Sequence, residues 1–256
     1  MQILLGRPFL AVPLRTNDQI LQAAPMTRLF WKLIPKVQRE MLLERLSVVD
    51  RQVVDKALSG RVRFPEAFDE LECIFIHVPK CAGSSVAMSL FGDTPTGHLP
   101  LYWYEKEFAD RYAHYFKFGF VRDPLQRAWS AYNYLLQNSL RRDRAACELV
   151  NKYPNFDAFI DNWLHPENIT KQIHFVPQHR FLENSMGSID VDFIGRQESL
   201  TPDFLTLCRH LNVKAELKHI NNTPRQGEGN CIICSDATRR KVREVYARDY
   251  ELFAYD

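Results

Sequence analysis

The stretch CIFIHVPKCAGSSVAMSLFG, from Cys73 to Gly92, joins a strand pattern to a helix pattern through a loop of small residues and one lysine. Residues Cys73 to Val78 form a nearly continuous apolar run, which is typical of a strand covered on both faces in a parallel sheet. Ser84 and Ser85 are predicted to cap the helix that follows, and Gly92 is placed to end it. A strand that runs into a helix in this way indicates an α/β fold.

The loop between this strand and helix, from Lys80 to Ser85, ends on the helix N-terminus. Unpaired N–H groups and the positive end of the helix dipole converge there, and Lys80 adds a full charge, so the loop favours a phosphate-like anion. The loop is not a Walker A motif, because GxxxxGK[ST] places its lysine after the glycines, whereas Lys80 precedes Gly83. A nucleotide site without the magnesium ligand of that motif is one interpretation, and an ordinary turn with an exposed lysine is the other.

A second stretch, FKFGFVRDPLQRAWSAYNYLL from Phe116 to Leu136, is again an apolar strand that runs into a helix. Asp123 is predicted to cap this helix. Arg122 lies at the end of the strand, and Ser130 lies eight residues further on and off the apolar stripe of the helix. These two side chains are therefore predicted to bind one anion together. The predicted apolar stripe consists of Leu125, Trp129, Tyr132 and Leu136.

The composition is that of a globular chain with one large α/β domain and a helical appendage: 256 residues, 46% hydrophobic and 25% charged. A net charge of +2 argues against binding to nucleic acid through bulk charge. Six cysteines are sparse for this length, which indicates a reduced compartment, and the lone pair Cys231 and Cys234 is interpreted as loop cysteines. No apolar run approaches the length of a membrane span.

HVPKCAGSS (77–85) and FVRDPLQRAWSAY (120–132) resemble the two cofactor signatures of the sulfotransferases, in particular the carbohydrate sulfotransferase family related to Golgi glycan-modifying enzymes. Further segments are similar to that family and follow in its order, so the resemblance covers about Leu71 to Asp256. These segments are TGHLPLYWY (96–104), HFVPQHRFL (174–182), VDFIGRQESL (191–200), NNTPR (221–225) and YARDYELFAY (246–255).

The resemblance implies a P-loop-like parallel β-sheet flanked by helices, with a site for 3′-phosphoadenosine 5′-phosphosulfate as the sulfate donor. Arg122 and Ser130 are implied at the 3′-phosphate, and Arg225 is a weaker candidate that would close over the donor. No metal is implied. The residues implied at the 5′-phosphosulfate are Lys80, Cys81, Ala82, Gly83, Ser84 and Ser85.

Sulfuryl transfer is an in-line displacement, so by analogy with phosphoryl transfer it needs charge stabilisation on the leaving oxygen and a base for the acceptor. Lys80 and the helix N-terminus are predicted to supply the first without a metal. Related family members carry a histidine assigned as the base between the two signatures, which makes His98 the first candidate. His174 is the second candidate. His77 is interpreted as a core histidine of the first strand, bonded to a backbone group.

The chain is predicted to divide into an N-terminal arm with a helical extension, residues 1–66, and a sulfotransferase domain, residues 67–256. A long helical pattern runs from Pro35 to Gly60 and is interpreted as core, with a dimerisation helix, and hence a homodimer, as the alternative. The Golgi relatives carry a membrane anchor. Its absence predicts a cytoplasmic, bacterial-type enzyme, and the Golgi lumen is the alternative if an anchor has been removed from the sequence.

The expected acceptor is a glycan or another small molecule that offers a hydroxyl or an amine. Arg196 and Glu198, after the VDFIG segment, are predicted to form an ion pair that holds the strand ends together. The aromatic residues considered for stacking on a sugar or another ring are Trp103, Tyr104 and Trp163.

Two other functions are alternatives to sulfuryl transfer. A P-loop kinase or NTPase would use the same architecture, but the missing GxxxxGK[ST] motif counts against it. A non-catalytic nucleotide-binding protein with a degenerate site is the other alternative. The presence of Lys80, Arg122, Ser130 and a candidate base counts against degeneration.

Overall fold

The computed structural model describes residues 25–60, 62–137, 143–218 and 232–256. In these residues the chain is an α/β protein with a parallel sheet flanked by helices, which confirms the predicted fold class. The helices are α1 (Pro25–Leu33), α2 (Lys36–Leu42), α3 (Val48–Ser59), α4 (Glu66–Glu70), α5 (Gly83–Phe91), α6 (Leu101–Glu107), α7 (Ala109–His114), α8 (Pro124–Gln137), α9 (Arg144–Val150), α10 (Phe156–Trp163), α11 (Pro166–Ile169), α12 (His179–Leu182), α13 (Leu200–His210), α14 (Asp236–Val245) and α15 (Ala247–Leu252).

The sheet of the described residues has three parallel strands in the order β1 (Cys73–Ile76), β2 (Phe116–Val121) and β3 (Phe193–Arg196). Parallel strands need crossover connections, and helices supply them here. Because the strands run the same way, their carboxyl ends lie at one edge of the sheet. The loops that begin at those ends therefore lie side by side, which is where ligands bind in open α/β sheets.

The first strand ends two residues earlier than predicted. The Val78 N–H donates to the carbonyl oxygen of Ile76 at 3.1 Å, so the chain turns away from β2 after Ile76. His77 therefore lies beyond the strand, and its side chain is half-buried. The prediction that His77 is a core residue inside the strand was wrong.

Helix α5 begins at a different residue from the one predicted. Its N-cap is Ala82, whose carbonyl oxygen accepts from the N–H groups of Ser85 and Val86, so Ser84 and Ser85 lie within the first turn instead of capping it. The end of the helix agrees with the prediction. Gly92 is the C-cap and has a φ of +59°, a conformation that favours glycine.

The predicted N-cap of helix α8 is confirmed, but its apolar stripe differs from the prediction by one residue. The side chain of Asp123 accepts from the Gln126 N–H at 2.8 Å, as an N-cap residue does. Leu125 and Tyr132 are buried as expected, but Leu136 is exposed and Leu135 is fully buried. Because an α-helix has about 3.6 residues per turn, a residue four positions further on does not lie on quite the same face. The last buried position of the stripe is therefore Leu135 and not Leu136.

The long helical pattern from Pro35 to Gly60 forms two helices, α2 and α3, instead of one. Ser47 caps α3 by accepting from the Asp50 N–H, and Gly60 ends it in the left-handed conformation, as predicted. Val37 and Met41 on α2 are exposed, so they are not core residues. By contrast, Val49, Val53 and Ala57 on α3 belong to the same buried cluster as the sheet residues. The boundary between residues 66 and 67 stays a prediction.

Two buried clusters position the site. One surrounds the sheet and includes the stacked rings of Phe75 and Phe118, whose centroids lie 5.1 Å apart. The other packs α8 against α10 and α14. In the ranges that the structure describes, no helix is long and apolar enough to cross a membrane.

Candidate active site

The loop after β1 is a tight turn that packs against a histidine ring. Lys80 and Ala82 both have positive φ angles, +68° and +61°, which cost free energy in residues other than glycine and concentrate at functional sites. Gly83 lies so close to His77 that a Cβ atom on it would be 2.1 Å from the His77 Cδ2 atom. The glycine of the signature is thus required by this approach, and the loop has little freedom to move.

A buried glutamine ties the two predicted anion-binding loops together. The Oε1 atom of Gln178 accepts from the Arg122 N–H at 2.9 Å and from the Cys81 thiol at 3.2 Å, and its Nε2 atom donates to the Arg122 carbonyl oxygen at 2.8 Å. Asp249 accepts from the Gln178 N–H at 2.7 Å. Since Cys81 is fully buried and its thiol donates to Gln178, its side chain is not available to a ligand.

Arg127 is a second buried tie that the sequence analysis missed. Its side chain is 1% exposed and donates to the carbonyl oxygens of Val176 at 2.6 Å, His174 at 3.4 Å and Pro79 at 3.5 Å. A charged side chain is seldom buried unless its donors are satisfied. Arg127 therefore holds the start of the first loop and the HFVPQ segment against α8.

Lys80 and Arg122 bring two positive charges to neighbouring loops. Burial, and next the charge of Arg122, lower the pKa of Lys80 to about 8. Burial also lowers the pKa of Arg122, and the Nε atom of Arg122 is buried without a hydrogen-bond partner among the described residues. Two cations that disfavour each other's charge, one with an unpaired donor, fit a bound polyanion.

Helix α8 carries Ser130 and Tyr134 four residues apart, so these side chains lie on one face of the helix. The Nζ atom of Lys80 lies 3.9 Å from the centre of the Tyr134 ring. Lys80 therefore reaches the helix face on which Ser130 lies. Ser130 is half-buried there.

His98 is oriented by the backbone at the end of β1. Its Nδ1 atom lies 2.8 Å from the carbonyl oxygen of His77, and the two rings meet edge to face with centroids 4.4 Å apart. His77 itself is bonded through Nδ1 to the Thr96 hydroxyl at 3.0 Å, so its predicted bond to a backbone group was also wrong. Burial, and next the charge of His98, lower the pKa of His77 well below its usual value, so His77 is neutral near pH 7.

His174, the second candidate base, is buried beside an aspartate. Burial lowers its pKa to about 4, against the opposing effect of Asp143 and with further lowering by His98 and Lys80. The Nε2 atom of His174 lies 3.5 Å from Asp143 Oδ1, a loose contact, and neither ring nitrogen forms a hydrogen bond in the described part of the chain. His98 and Lys80 thus both lie within electrostatic reach of His174.

The remaining predictions have mixed outcomes. The ion pair between Arg196 and Glu198 does not form: Arg196 donates to the Phe253 carbonyl oxygen at 2.5 Å, and Glu198 accepts from the Asp123 N–H at 2.7 Å and the Tyr255 hydroxyl at 3.0 Å. The three aromatic residues considered for acceptor stacking are buried in the core. They are Trp103, Tyr104 and Trp163.

Two further predictions fall outside the described residues. Arg225 lies in the range 219–231, as does Cys231. Within the described ranges, no group of three or more His, Cys, Asp or Glu side chains is arranged to hold a metal ion.

One of three comparisons with known proteins gives a match. The model of the sulfotransferase family matches residues 68–256, so the chain belongs to that family. The match includes both anion-binding loops and the candidate bases. No curated protein and no solved structure gives a significant match.

Proposed function

We propose that this protein transfers a sulfuryl group from 3′-phosphoadenosine 5′-phosphosulfate to a hydroxyl or amine of a carbohydrate or another small acceptor. The observation that carries the proposal is the pair Lys80 and Arg122 on loops that follow adjacent parallel strands, with the Arg122 Nε atom buried and unpaired. Family membership supports sulfuryl transfer in general, and this donor is typical of the family.

The proposed donor-binding residues form two groups, one at the 5′-phosphosulfate and one at the 3′-phosphate. Ser85 is proposed to reach the 5′-phosphosulfate through its hydroxyl, because its N–H already donates to the Ala82 carbonyl oxygen. Lys80 and the backbone N–H groups from Cys81 to Ser84 bind the same group, because the first N–H groups of a helix have no acceptor within it. Ala82, Gly83 and Ser84 contribute through that backbone. Arg122 and Ser130 bind the 3′-phosphate, and Arg225 is proposed to close over the nucleotide. The Gln178 bonds to Arg122 and Cys81 keep the two halves of this site in register.

The donor, when bound, supplies an activated sulfuryl group, and the side chains of this protein supply charge and proton transfer. Lys80 stabilises the negative charge that develops on the leaving phosphate oxygen, a task for which a preorganised cation in a partly buried site is effective. At pH 7 an amine with a pKa of about 8 is mostly protonated, so Lys80 carries its charge. The proposed scheme uses no metal.

His98 is proposed as the general base. A carbonyl oxygen only accepts hydrogen bonds, so the Nδ1 atom of His98 carries the proton that it donates to His77, and Nε2 of the neutral ring carries the lone pair. His174 is the weaker choice because its pKa of about 4 makes it a poor proton acceptor near neutral pH.

The family match does not favour a kinase or NTPase. The carbohydrate acceptor, the homodimer, and the cytoplasmic, bacterial-type setting, with the Golgi lumen as the alternative, remain part of the proposal.

The function is tested by transfer of labelled sulfate from the donor to a panel of glycans, small alcohols and amines, with a chelator present. We expect at least one acceptor to be labelled by the wild-type protein and by a conservative surface control such as Lys36→Ala, and labelling to be lost in Lys80→Ala. Hydrolysis of ATP with magnesium, without any sulfate transfer, would instead assign the kinase or NTPase class.

A further inference from the structure

Tyr134 contacts Lys80, Asp143 and His174 in the proposed site. Its ring lies under the Lys80 ammonium, with 3.9 Å between Nζ and the ring centre. Its hydroxyl donates to Asp143 Oδ2 at 3.0 Å. Its ring also lies against that of His174, with centroids 5.4 Å apart and planes inclined at 57°.

The ring of Tyr134 is itself held in place. It projects from α8, a helix of 14 residues that begins two residues after Arg122. The helix therefore connects the ring rigidly to the part of the site that contains Arg122. The bond to Asp143 fixes the far end of the ring. A phenol held at both ends is a rigid surface against which a flexible side chain can rest.

Lys80 needs such a surface. A lysine ammonium is a compact charge on a flexible four-carbon stem, so its position is poorly fixed unless something holds it. The face of an aromatic ring carries negative charge density and attracts a cation. An ammonium on a ring face keeps donors on its opposite side, since it has three N–H groups.

We propose that Tyr134 is a positioning residue that holds the Lys80 ammonium where the 5′-phosphosulfate binds, at a fixed distance from the Arg122 end of the site. The inference rests on the proposed function and adds to it a residue outside both quoted signatures. Tyr134 acts through Lys80 and does not itself touch the reacting atoms.

The proposal is tested by the affinity of 3′-phosphoadenosine 5′-phosphate, measured by calorimetry without metal in a double-mutant cycle. Tyr134→Leu should weaken binding by about 3- to 30-fold, the range of a cation–π contact converted to an affinity ratio. The same change in a Lys80→Ala background should have no further effect. Tyr134→Phe keeps the ring and should bind within about threefold of wild type, since it loses only the Asp143 bond.

The double-mutant cycle separates a role of the ring through Lys80 from a role in packing alone. An equal loss from Tyr134→Leu with and without Lys80 would mean that the ring acts by packing alone and would overturn the inference while leaving the proposed function standing. No loss in either background would overturn it too. A wild-type protein that does not bind the nucleotide would overturn the proposed function and the inference with it. If Tyr134→Leu does not fold, Tyr134→Met, whose unbranched and flexible side chain adapts better to the space left by the ring, takes its place in the same cycle.

Discussion

The Nδ1 atom of His98 lies 2.8 Å from the backbone carbonyl oxygen of His77, the first residue after β1. This bond fixes the tautomer of His98, because only a protonated Nδ1 can donate to a carbonyl oxygen. It also ties the candidate base to the same turn that leads into the Lys80 loop. The base and the leaving-group cation are thus positioned by one short segment of backbone.

Replacement of His98 by alanine should slow sulfate transfer by about 10²- to 10⁴-fold, the usual contribution of a positioned general base. The affinity for 3′-phosphoadenosine 5′-phosphate should stay close to wild type, because His98 is proposed to contact the acceptor and not the nucleotide. Initial rates and calorimetry on the same preparation check both statements. His174→Ala is the matched comparison, and the base is His174 if that variant loses turnover while His98→Ala keeps it.

Titration of Lys80 should give nucleotide affinity and protein stability opposite dependences on pH. Its pKa is about 8 in the folded protein against a usual 10.5, so between these values the unfolded chain binds the extra proton and stability rises with pH. Nucleotide binding favours the charged lysine, so affinity should fall as pH rises above about 8. The phosphates titrate near pH 6 and add no change there.

The control for this titration is Lys80→Met, which has a similar length and no charge. Its affinity should be lower than that of wild type at pH 7 and nearly constant from pH 7 to 10. A variant whose affinity falls as steeply as that of wild type would show that another group titrates, and would remove Lys80 from the nucleotide site.

His174 should make the protein sensitive to acid. Its pKa is about 4 in the folded protein against a usual 6.5, so the unfolded chain takes up a proton as pH falls through this window and stability is lost. At pH 4.5 the loss should reach about 2–3 kcal/mol relative to pH 7, at about 1.4 kcal/mol per pKa unit. Denaturant unfolding at both pH values should show a smaller loss in His174→Asn, and an equal loss in the variant would contradict the prediction.

A methyl group at position 83 should clash with the ring of His77. Gly83→Ala would place its Cβ atom 2.1 Å from His77 Cδ2, and overpacking of this kind costs about 1–3 kcal/mol of the free energy of unfolding. The same substitution in a His77→Ala background should cost little, because the ring is gone. A similar cost in both backgrounds, measured by denaturant unfolding, would show that the strain lies in the backbone and not in this contact.

The sequence predicted the parts of the site that follow from local pattern. Lys80 and Arg122 each follow an apolar strand and precede a helix, and parallel strands bring such positions to one edge of the sheet. Gln178 and Arg127 were missed because most of their partners are backbone atoms far away in the chain, and no local periodicity encodes such bonds. A cap or a stripe was misplaced only by one to three residues, as with Ser85, because burial decides the final register.

His77 shows a different limit of sequence reasoning. An apolar run does not reveal where a strand stops pairing, and the turn at Ile76 moved His77 from the sheet to the edge of the site. Its contact with Gly83 arises only because the loop folds back over it. His77 and Gly83 are six residues apart in the sequence, and only the folded loop shows that they are in contact.

The central claim is that the two loops bind a nucleotide that carries a 3′-phosphate. Arg122 should bind that phosphate through hydrogen bonds. Hydrogen bonds to a charged group contribute about 1.5–3 kcal/mol. Ser130 should contribute less, because a hydroxyl carries no charge.

The direct measurement is calorimetry, with a chelator present, of 3′-phosphoadenosine 5′-phosphate and of adenosine 5′-phosphate against wild type and Arg122→Ala. The account predicts that wild type binds the 3′-phosphorylated nucleotide about 10- to 150-fold more tightly, the ratio equivalent to that free energy. The variant should bind both nucleotides with nearly equal affinity, because only the smaller contribution of Ser130 remains. Wild-type protein that does not distinguish them, or that binds neither without magnesium, would contradict the account.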